Sequence, residues 1–230
     1  VENIAKDFNV FKSSNKLKRE PDYPESKEIY VAVLLAILLL ETILNGYYFA
    51  MGSELAYLGG IIQALGFAVV NLTIAFFLGR FTSFVNSINK LTRLYGYIFS
   101  ALAVTWLFSF NLYIAHYRQQ LETVIDGAEA LAFKTIFEST FSLGSYWILF
   151  VIGLLFGCIA CVEGYKWDDP YPGYGSLHRR LKQAQDDFNK VKAEIMVLPK
   201  KRLQEKIEEL KNLGLKIKSS VGYLEDTVKE

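Results

Sequence analysis

Four long apolar runs interrupt an otherwise polar chain. They extend from Ile29 to Ala50, Leu55 to Gly79, Leu94 to Tyr113 and Leu143 to Val162. Each run has roughly the 20 residues that a helix needs to cross a hydrocarbon core ~30 Å thick. Lipid offers no partner for open backbone groups, and the runs lack the alternation of a membrane barrel, so helices are predicted. The expected fold is all-α: a four-helix transmembrane bundle over residues 29–165, followed by a helical tail.

The connection between the third and fourth runs has a helical period of its own. Its apolar positions are Leu121, Val124, Ile125, Ala128, Leu131, Ala132 and Ile136. Acidic residues take the other face, which predicts an amphipathic helix over about residues 118–138. This helix would lie on the outer membrane surface or cap the bundle. The alternative is an extension of the third membrane helix.

Residues 176–230 follow a heptad pattern that predicts a coiled coil. The predicted seam consists of Leu177, Leu181, Phe188, Val191, Ile195, Leu203, Ile207, Leu210, Ile217 and Leu224. Pro199 and the irregular spacing from Leu198 to Leu203 interrupt the register. Because proline disturbs a helix, the tail is expected to be either an antiparallel hairpin or a kinked helix that pairs with other chains.

Two further segments flank the membrane domain. Residues 1–28 contain Pro21 and Pro24 and are expected to form a poorly packed cytosolic lead, helical from Ile4 to Phe11. No small-residue cleavage site follows the first apolar run, so no signal peptide is predicted. Residues 166–175 contain prolines and glycines that predict a hinge between the bundle and the tail.

The distribution of basic residues predicts the orientation. On one side of the membrane, the ends of the apolar runs are bordered by basic residues: Lys27, Arg80, Lys90, Arg93 and Lys166. The connection between the first and second runs, on the other side, has no basic residue. Basic residues favour the cytosolic side. Both termini are therefore predicted to be cytosolic, in a bacterial inner membrane. The formal net charge of +1 gives no reason to predict a nucleic-acid partner.

Polar residues inside the apolar runs are the strongest functional signal. At ~1.5 Å per residue, Glu41 lies roughly 18 Å, and Asn45, Gln63 and Asn111 roughly 24–25 Å, from the cytosolic ends of their helices. An intramembrane polar cluster of these four residues is predicted, with Asn71 apart and closer to the cytosol. The cluster is either a hydrogen-bonded clamp between helices or a wet path for protons or ions.

Small residues recur every fourth position in two of the runs. They are Gly60, Ala64 and Ala68 in the second run, and Gly153, Gly157 and Cys161 in the fourth. Such stripes let helices approach closely, within one chain or between chains. Cys158 and Cys161 have the spacing of half a zinc site, but the sequence has no second cysteine pair, so no metal and no cofactor is predicted.

Gly173-Tyr174-Gly175 resembles the end of a potassium-channel filter. A filter needs a preceding pore helix and a position within the membrane. Here an acidic, proline-rich stretch comes before the motif and the predicted topology places it in the cytosol, so a turn is expected instead.

The sequence contains no Walker loop, HExxH, GxSxG or GxGxxG motif, which argues against an enzyme. The expected function is that of an oligomeric module that anchors, senses or signals at the lipid bilayer. Its tail would assemble copies of the chain or dock a cytosolic protein partner, in a bacterial stress or phage-defence system. The alternatives are an ion- or proton-conducting channel gated by the tail, and a plain scaffold.

Overall fold

The computed structural model describes residues 1–50, 56–123, 127–139 and 142–228, with side chains up to Gly222 except that of Ala56. All regular secondary structure in these ranges is helical. The helices are α1 (Glu2–Ser14), α2 (Glu28–Ala50), α3 (Ala56–Thr82), α4 (Lys90–Gln120), α5 (Ala128–Glu138), α6 (Trp147–Lys166) and α7 (Tyr174–Val228). Short 3-10 turns at Ser83–Asn86 and Gly144–Tyr146 precede α4 and α6.

Four of these helices, α2, α3, α4 and α6, are long and apolar enough to cross a membrane. This confirms the prediction of four membrane-type helices in an all-helical chain. Their outer faces expose large apolar side chains, such as Leu39 at 61% and Ile62 at 59%. Water would make such a continuous apolar surface unfavourable, whereas hydrocarbon accommodates it. The predicted tight connection at residues 51–54 lies outside the described residues.

The chain divides into two compact units. The larger unit, residues 10–177, contains all four membrane-type helices. Within it α3 is central, because it packs against α2, α4 and α6. The smaller unit contains residues 1–9 and 178–230. There the buried ring of Phe8 lies 5.5 Å from the ring of His178.

Glycine permits the closest helix contacts of the larger unit. A Cβ built on Gly79 would overlap the backbone carbonyl of Cys161, and one on Gly164 would overlap the carbonyl of Phe76. Backbone cannot move aside as a flexible side chain can, so α3 and α6 approach at a distance that only glycine allows.

The predicted helix over 118–138 is divided in the structure. Residues 118–120 belong to α4, and a separate helix, α5, begins at Ala128 after Gly127, which has a positive φ of 89°. Ala128 and Ala132 are fully buried against a cluster that includes Phe49 and Tyr117. The segment therefore caps the bundle, and a full extension of the third membrane helix is wrong. Val124 and Ile125 lie outside the described part of the chain.

The tail is one helix, so the hairpin alternative is wrong. α7 contains Pro199 in its interior. A proline removes one helical hydrogen bond and costs about 3 kcal/mol. Helix-forming residues on both sides, rich in lysine, glutamate and leucine, favour continuation of the helix. Whether α7 pairs as a coiled coil is not tested by one chain and stays a prediction.

Most side chains of the lead are exposed and only Phe8 of residues 1–28 is buried, but one specific contact, which the sequence did not predict, joins the lead to the segment after α6. The guanidinium of Arg19 donates two hydrogen bonds, of 2.7 and 2.5 Å, to the carboxylate of Asp169. The backbone N–H groups of Asp22 and Tyr171 each donate to the same carboxylate at 2.7 Å. Because Asp169 is 1% exposed, these four donors replace the water that it loses. We call this the Arg19–Asp169 latch.

The predicted hinge, residues 166–175, carries several buried side chains. Lys166 still belongs to α6, and α7 begins at Tyr174. Tyr171 and Tyr174 are buried, and the Tyr174 hydroxyl donates to the carbonyl of Arg19 at 2.8 Å. The bonds between the lead and this segment fix its local conformation, and bending here stays a prediction.

Candidate functional site: an intramembrane polar network and the apolar seam of α7

A hydrogen-bonded network joins the four membrane-type helices. Asn71 of α3 donates from Nδ2 to Glu41 Oε1 of α2 at 3.2 Å, and to the carbonyl of Gly153 of α6 at 3.0 Å. Asn111 of α4 donates to Asn71 Oδ1 at 3.3 Å and to the carbonyl of Leu107 at 2.8 Å. We call Glu41, Asn71, Asn111 and the Gly153 carbonyl the Asn71 network. Its three side chains are 0–3% exposed.

The small residues of α6 make room for this network. A Cβ on Gly153 would overlap Asn111 Oδ1, and a Cβ on Gly157 would lie 2.5 Å from Leu107 Cδ2 and 3.4 Å from Asn71 Oδ1. The structure thus places this part of the predicted stripe within one chain, where it accommodates amide side chains.

The second small-residue stripe also lies between helices of one chain. A Cβ on Gly60 would overlap the backbone of Ala50, and Ala64 and Ala68 are fully buried. In the fourth run, Cys161 contributes its backbone carbonyl to the contact with Gly79. Cys158 is exposed and both cysteines are free thiols.

Asn71 is the centre of the cluster, which corrects the expectation that it stands apart. Side chains on a helix lean toward the N-terminus of that helix. The helices α2 and α3 are antiparallel, so Glu41 and Asn71 lean toward each other. Gln63 leans away, and its Nε2 donates to the Tyr117 hydroxyl at 2.9 Å instead. Gln63 therefore does not join Glu41, contrary to the depth estimate.

The depth of Asn111 was overestimated because the helices do not begin at the same level. A Cβ on Gly96 would overlap the backbone N of Val85, so α4 runs alongside the turn that follows α3. Residues of α4 before Gly96 extend beyond that turn. Asn111 consequently lies closer to the level of Asn71 than a count from Leu94 suggests.

Two buried acceptor oxygens in this region have no hydrogen-bond partner among the described residues. They are Glu41 Oε2 and Asn45 Oδ1. Both residues belong to α2, one helical turn apart, and are 2% and 4% exposed. A carboxylate and an amide oxygen can only accept, whereas a protonated glutamate supplies a donor. A proton on Glu41 Oε2 would turn this oxygen into a donor.

A second buried polar group lies where α4 ends, and sequence reasoning missed it. Arg118 is 1% exposed, its Nε donates to the carbonyl of Tyr48, and its guanidinium lies 5.1 Å from the centre of the Tyr146 ring. The Tyr146 hydroxyl donates to the carboxylate of Glu122. The available signal was a basic residue that follows the third apolar run by five positions.

The Gly173-Tyr174-Gly175 motif forms a turn and a helix start. Gly173 has a positive φ of 83°, a conformation that favours glycine. Tyr174 and Gly175 belong to the first turn of α7, where a Cβ on Gly175 would overlap a carboxylate oxygen of Asp168. The motif therefore forms the predicted turn and packs against the segment before it.

The predicted seam of α7 is largely exposed on the single chain. Leu181 is 9% exposed and Leu177 is half-buried. The later seam residues Phe188, Val191, Ile195, Leu203, Ile207, Leu210 and Ile217 are between 54% and 67% exposed. The side chain of Leu224 lies outside the described part.

Within the described residues, no group of three or more histidine, cysteine, aspartate or glutamate side chains is arranged to hold a metal ion. Comparison with protein-family models, with characterised proteins and with solved structures finds no match to this chain. Function is therefore inferred from the contacts described above.

Proposed function

We propose that this chain is an integral membrane anchor that assembles with copies of itself through α7, with both termini in the cytosol. The exposed apolar seam of α7 is the observation that carries the proposal. Its first part leaves Phe188, Val191 and Ile195 between 54% and 61% exposed although the rest of the helix is strongly charged. Burying one such side chain contributes roughly 1.5–3 kcal/mol, so pairing of the seams is favourable.

Charges beside the first part of the seam fit a parallel copy of the same helix. We call residues 177–198 the proximal segment. With Phe188 at position a and Val191 at d, Asp187 takes position g and Lys192 takes position e. In a parallel coiled coil, a g residue faces the e residue five positions later on the partner. Asp187 thus faces Lys192 of the other copy, and the two-fold symmetry of the pair produces a second, identical attraction between Lys192 and Asp187.

The Asn71 network supports an anchoring role for the bundle. Glu41 is buried within one subunit and accepts a hydrogen bond from another helix of the same subunit. Interhelical hydrogen bonds of this kind contribute ~0.6–2 kcal/mol each and fix which helices pack together. A non-enzymatic clamp and anchor is the simplest function for this arrangement. The bacterial stress or phage-defence setting stays a prediction.

The assembly proposal is tested on the full-length protein in detergent. Phe188→Asp places a charge in the apolar seam, and we expect it to reduce the oligomer to monomers in sedimentation analysis. Asn189→Asp is the matched control, because it adds the same charge at an exposed position next to the seam. A monomeric wild-type protein at micromolar concentration, or an unchanged mass for Phe188→Asp, would contradict the proposal.

Conduction of protons or cations is the second candidate. The two oxygens without a hydrogen-bond partner among the described residues, Glu41 Oε2 and Asn45 Oδ1, favour it, because a buried ionisable group inside a membrane helix is a common feature of ion paths. In this alternative the tail would gate the path. Ion flux through reconstituted protein separates the two candidates, as described for Glu41 below.

A further inference from the structure

We propose that the second part of the α7 seam binds an acidic amphipathic helix of another protein. This distal segment comprises residues 203–221. The proposal rests on the proposed function, because it assumes that copies of the chain pair through the proximal segment, parallel and in register, and leave the distal segment to another partner. It divides α7 into a proximal part that pairs with the same part of another copy and a distal part that binds a different protein.

The distal segment presents an apolar face long enough to hold a helix. Its seam residues Leu203, Ile207, Leu210, Ile217 and Val221 are 48–67% exposed, and Leu213 beside them is 55% exposed. Gly214 occupies the seam position between Leu210 and Ile217, and nothing lies within 4 Å of a Cβ built there. The glycine leaves a gap in the face into which a large side chain of a partner fits.

Lysines border this face on both sides. With Ile207 at position a and Leu210 at d, Lys206 takes position g, and Lys211 and Lys218 take position e. All three are exposed. The acids Glu205, Glu208 and Glu209 project from the opposite side of the helix at 100° per residue.

One of these lysines already has an ion pair on its own helix. Lys206 contacts Glu209 at 2.6 Å, with both side chains more than 60% exposed. Exposed pairs of this type contribute little, about 0.3–0.5 kcal/mol, so Lys206 can exchange that contact for one with a partner.

A second copy of the chain is a poor occupant of the distal segment. In a parallel pair Lys206 faces Lys211 of the other copy, and symmetry repeats the repulsion, whereas the proximal segment brings Asp187 opposite Lys192. Like charges at these positions suppress pairing and select a partner of opposite charge. A helix with leucine-like residues at a and d and glutamate or aspartate at e and g matches both the face and its borders.

A bilayer surface is the competing occupant, since basic amphipathic helices also bind anionic lipid. Two features favour a helix. The apolar positions Leu203 to Val221 keep the alternating spacing of four and three that knobs-into-holes packing requires. Residues 200–222 also contain no tryptophan, tyrosine or phenylalanine, the residues that insert most readily at the membrane interface.

The test uses the full-length protein in phosphatidylcholine nanodiscs and a labelled synthetic peptide of three heptads, with leucine at a and d and glutamate at e and g. A second peptide carries lysine at e and g. We expect the glutamate peptide to bind at least tenfold more tightly than the lysine peptide. The triple variant Lys206→Glu, Lys211→Glu and Lys218→Glu should reverse this preference.

The proximal variant Phe188→Asp distinguishes this inference from the assembly proposal. Loss of oligomers in Phe188→Asp with retained preference for the glutamate peptide supports the division of α7. Equal binding of both peptides by the wild type, or a preference that the triple variant does not change, overturns the inference even if assembly is intact. Competition for the glutamate peptide by phosphatidylglycerol vesicles, lost in the triple variant, would assign the distal segment to the bilayer instead.

Discussion

The Nδ2 of Asn71 lies 3.2 Å from Oε1 of Glu41, and this contact joins α2 to α3 inside the bundle. The same amide also donates to the Gly153 carbonyl of α6, while its oxygen accepts from Asn111 of α4. One side chain thus connects four helices. Removing it affects the contacts of α3 with α2, α4 and α6 at once, which makes the network the natural place to test how the bundle is held together.

Asn71→Leu should lower the thermal midpoint of the detergent-solubilised protein more than Gln63→Leu. Asn71 takes part in three interhelical bonds, whereas Gln63 donates only to Tyr117 in the hydrogen bonds described. At ~0.6–2 kcal/mol per bond, the expected difference is about 1–4 kcal/mol. Both variants remove an amide from α3, so Gln63→Leu controls for the change in polarity. Equal shifts in the two midpoints would mean that Asn71 is not central.

Glu41→Gln tests whether an ionisable group is needed. Glutamine keeps the shape of the side chain and its capacity to accept from Asn71 and donate to Asn45, but it cannot ionise. If the Asn71 network is a clamp, this variant should assemble with a midpoint close to wild type, while Glu41→Leu should be about 1–2 kcal/mol less stable.

The same variant decides the conduction alternative. Flux of protons or cations is measured in liposomes over a pH series, with wild type and Glu41→Gln side by side. No flux from either protein supports the anchor. Flux from the wild type that Glu41→Gln abolishes, with assembly intact, would establish a conducting path and contradict the clamp as the only role of Glu41.

Gly79→Ala should disrupt the bundle and Gly66→Ala should not. Both glycines lie in α3, but a Cβ on Gly79 overlaps the Cys161 carbonyl, whereas nothing lies within 4 Å of a Cβ on Gly66. Overpacking of this kind typically costs 1–3 kcal/mol, or more against rigid backbone. The yield of monodisperse protein in size-exclusion chromatography reports the difference. Equal yields would show that α3 and α6 can separate without loss.

Asp169→Ala should release the lead. The carboxylate accepts four hydrogen bonds in a buried position, and Arg19 is bound to it in a bidentate manner that raises the pKa of the guanidinium. Without Asp169, trypsin should cleave faster at Lys16, Lys18 and Arg19. Glu20→Ala removes an exposed pair with Lys12 and is the control, expected to change the rate little. Unchanged cleavage in Asp169→Ala would contradict a role for the latch.

Single cysteines test the proposed orientation. In a background with Cys158 and Cys161 replaced by alanine, Ser139→Cys after α5 should react with a membrane-impermeant thiol reagent in intact cells. Ser176→Cys in α7 should react only after the cells are opened. Both serines are exposed, so accessibility within the protein does not explain a difference. The reverse labelling pattern would invert the orientation inferred from the basic residues.

The number and approximate bounds of the membrane-type helices follow from sequence alone. Hydrophobicity over about 20 residues is a property of composition, and lipid leaves helix as the available backbone structure. The heptad spacing of residues 177–228 likewise predicted a helical tail, because a hydrophobic period of 3.5 residues can be recognised in a single amino-acid sequence. The Arg19–Asp169 latch was not predicted, because the two residues are 150 positions apart and no local pattern connects them.

The identity of the polar partners was decided only by the tertiary structure. Counting residues gave each polar group a depth, but neither the direction of its side chain nor the level at which its helix begins. Because of those two properties, Asn71 contacts Glu41 and Gln63 contacts Tyr117. For the same reason Asn111 lies at the level of Asn71 and donates a hydrogen bond to it. The glycines of α3 and α6 set the distances between helices, and hydrogen bonds act only over such short distances. Sequence therefore determined which segments form the membrane-type helices, and helix packing determined which of their polar side chains are buried together.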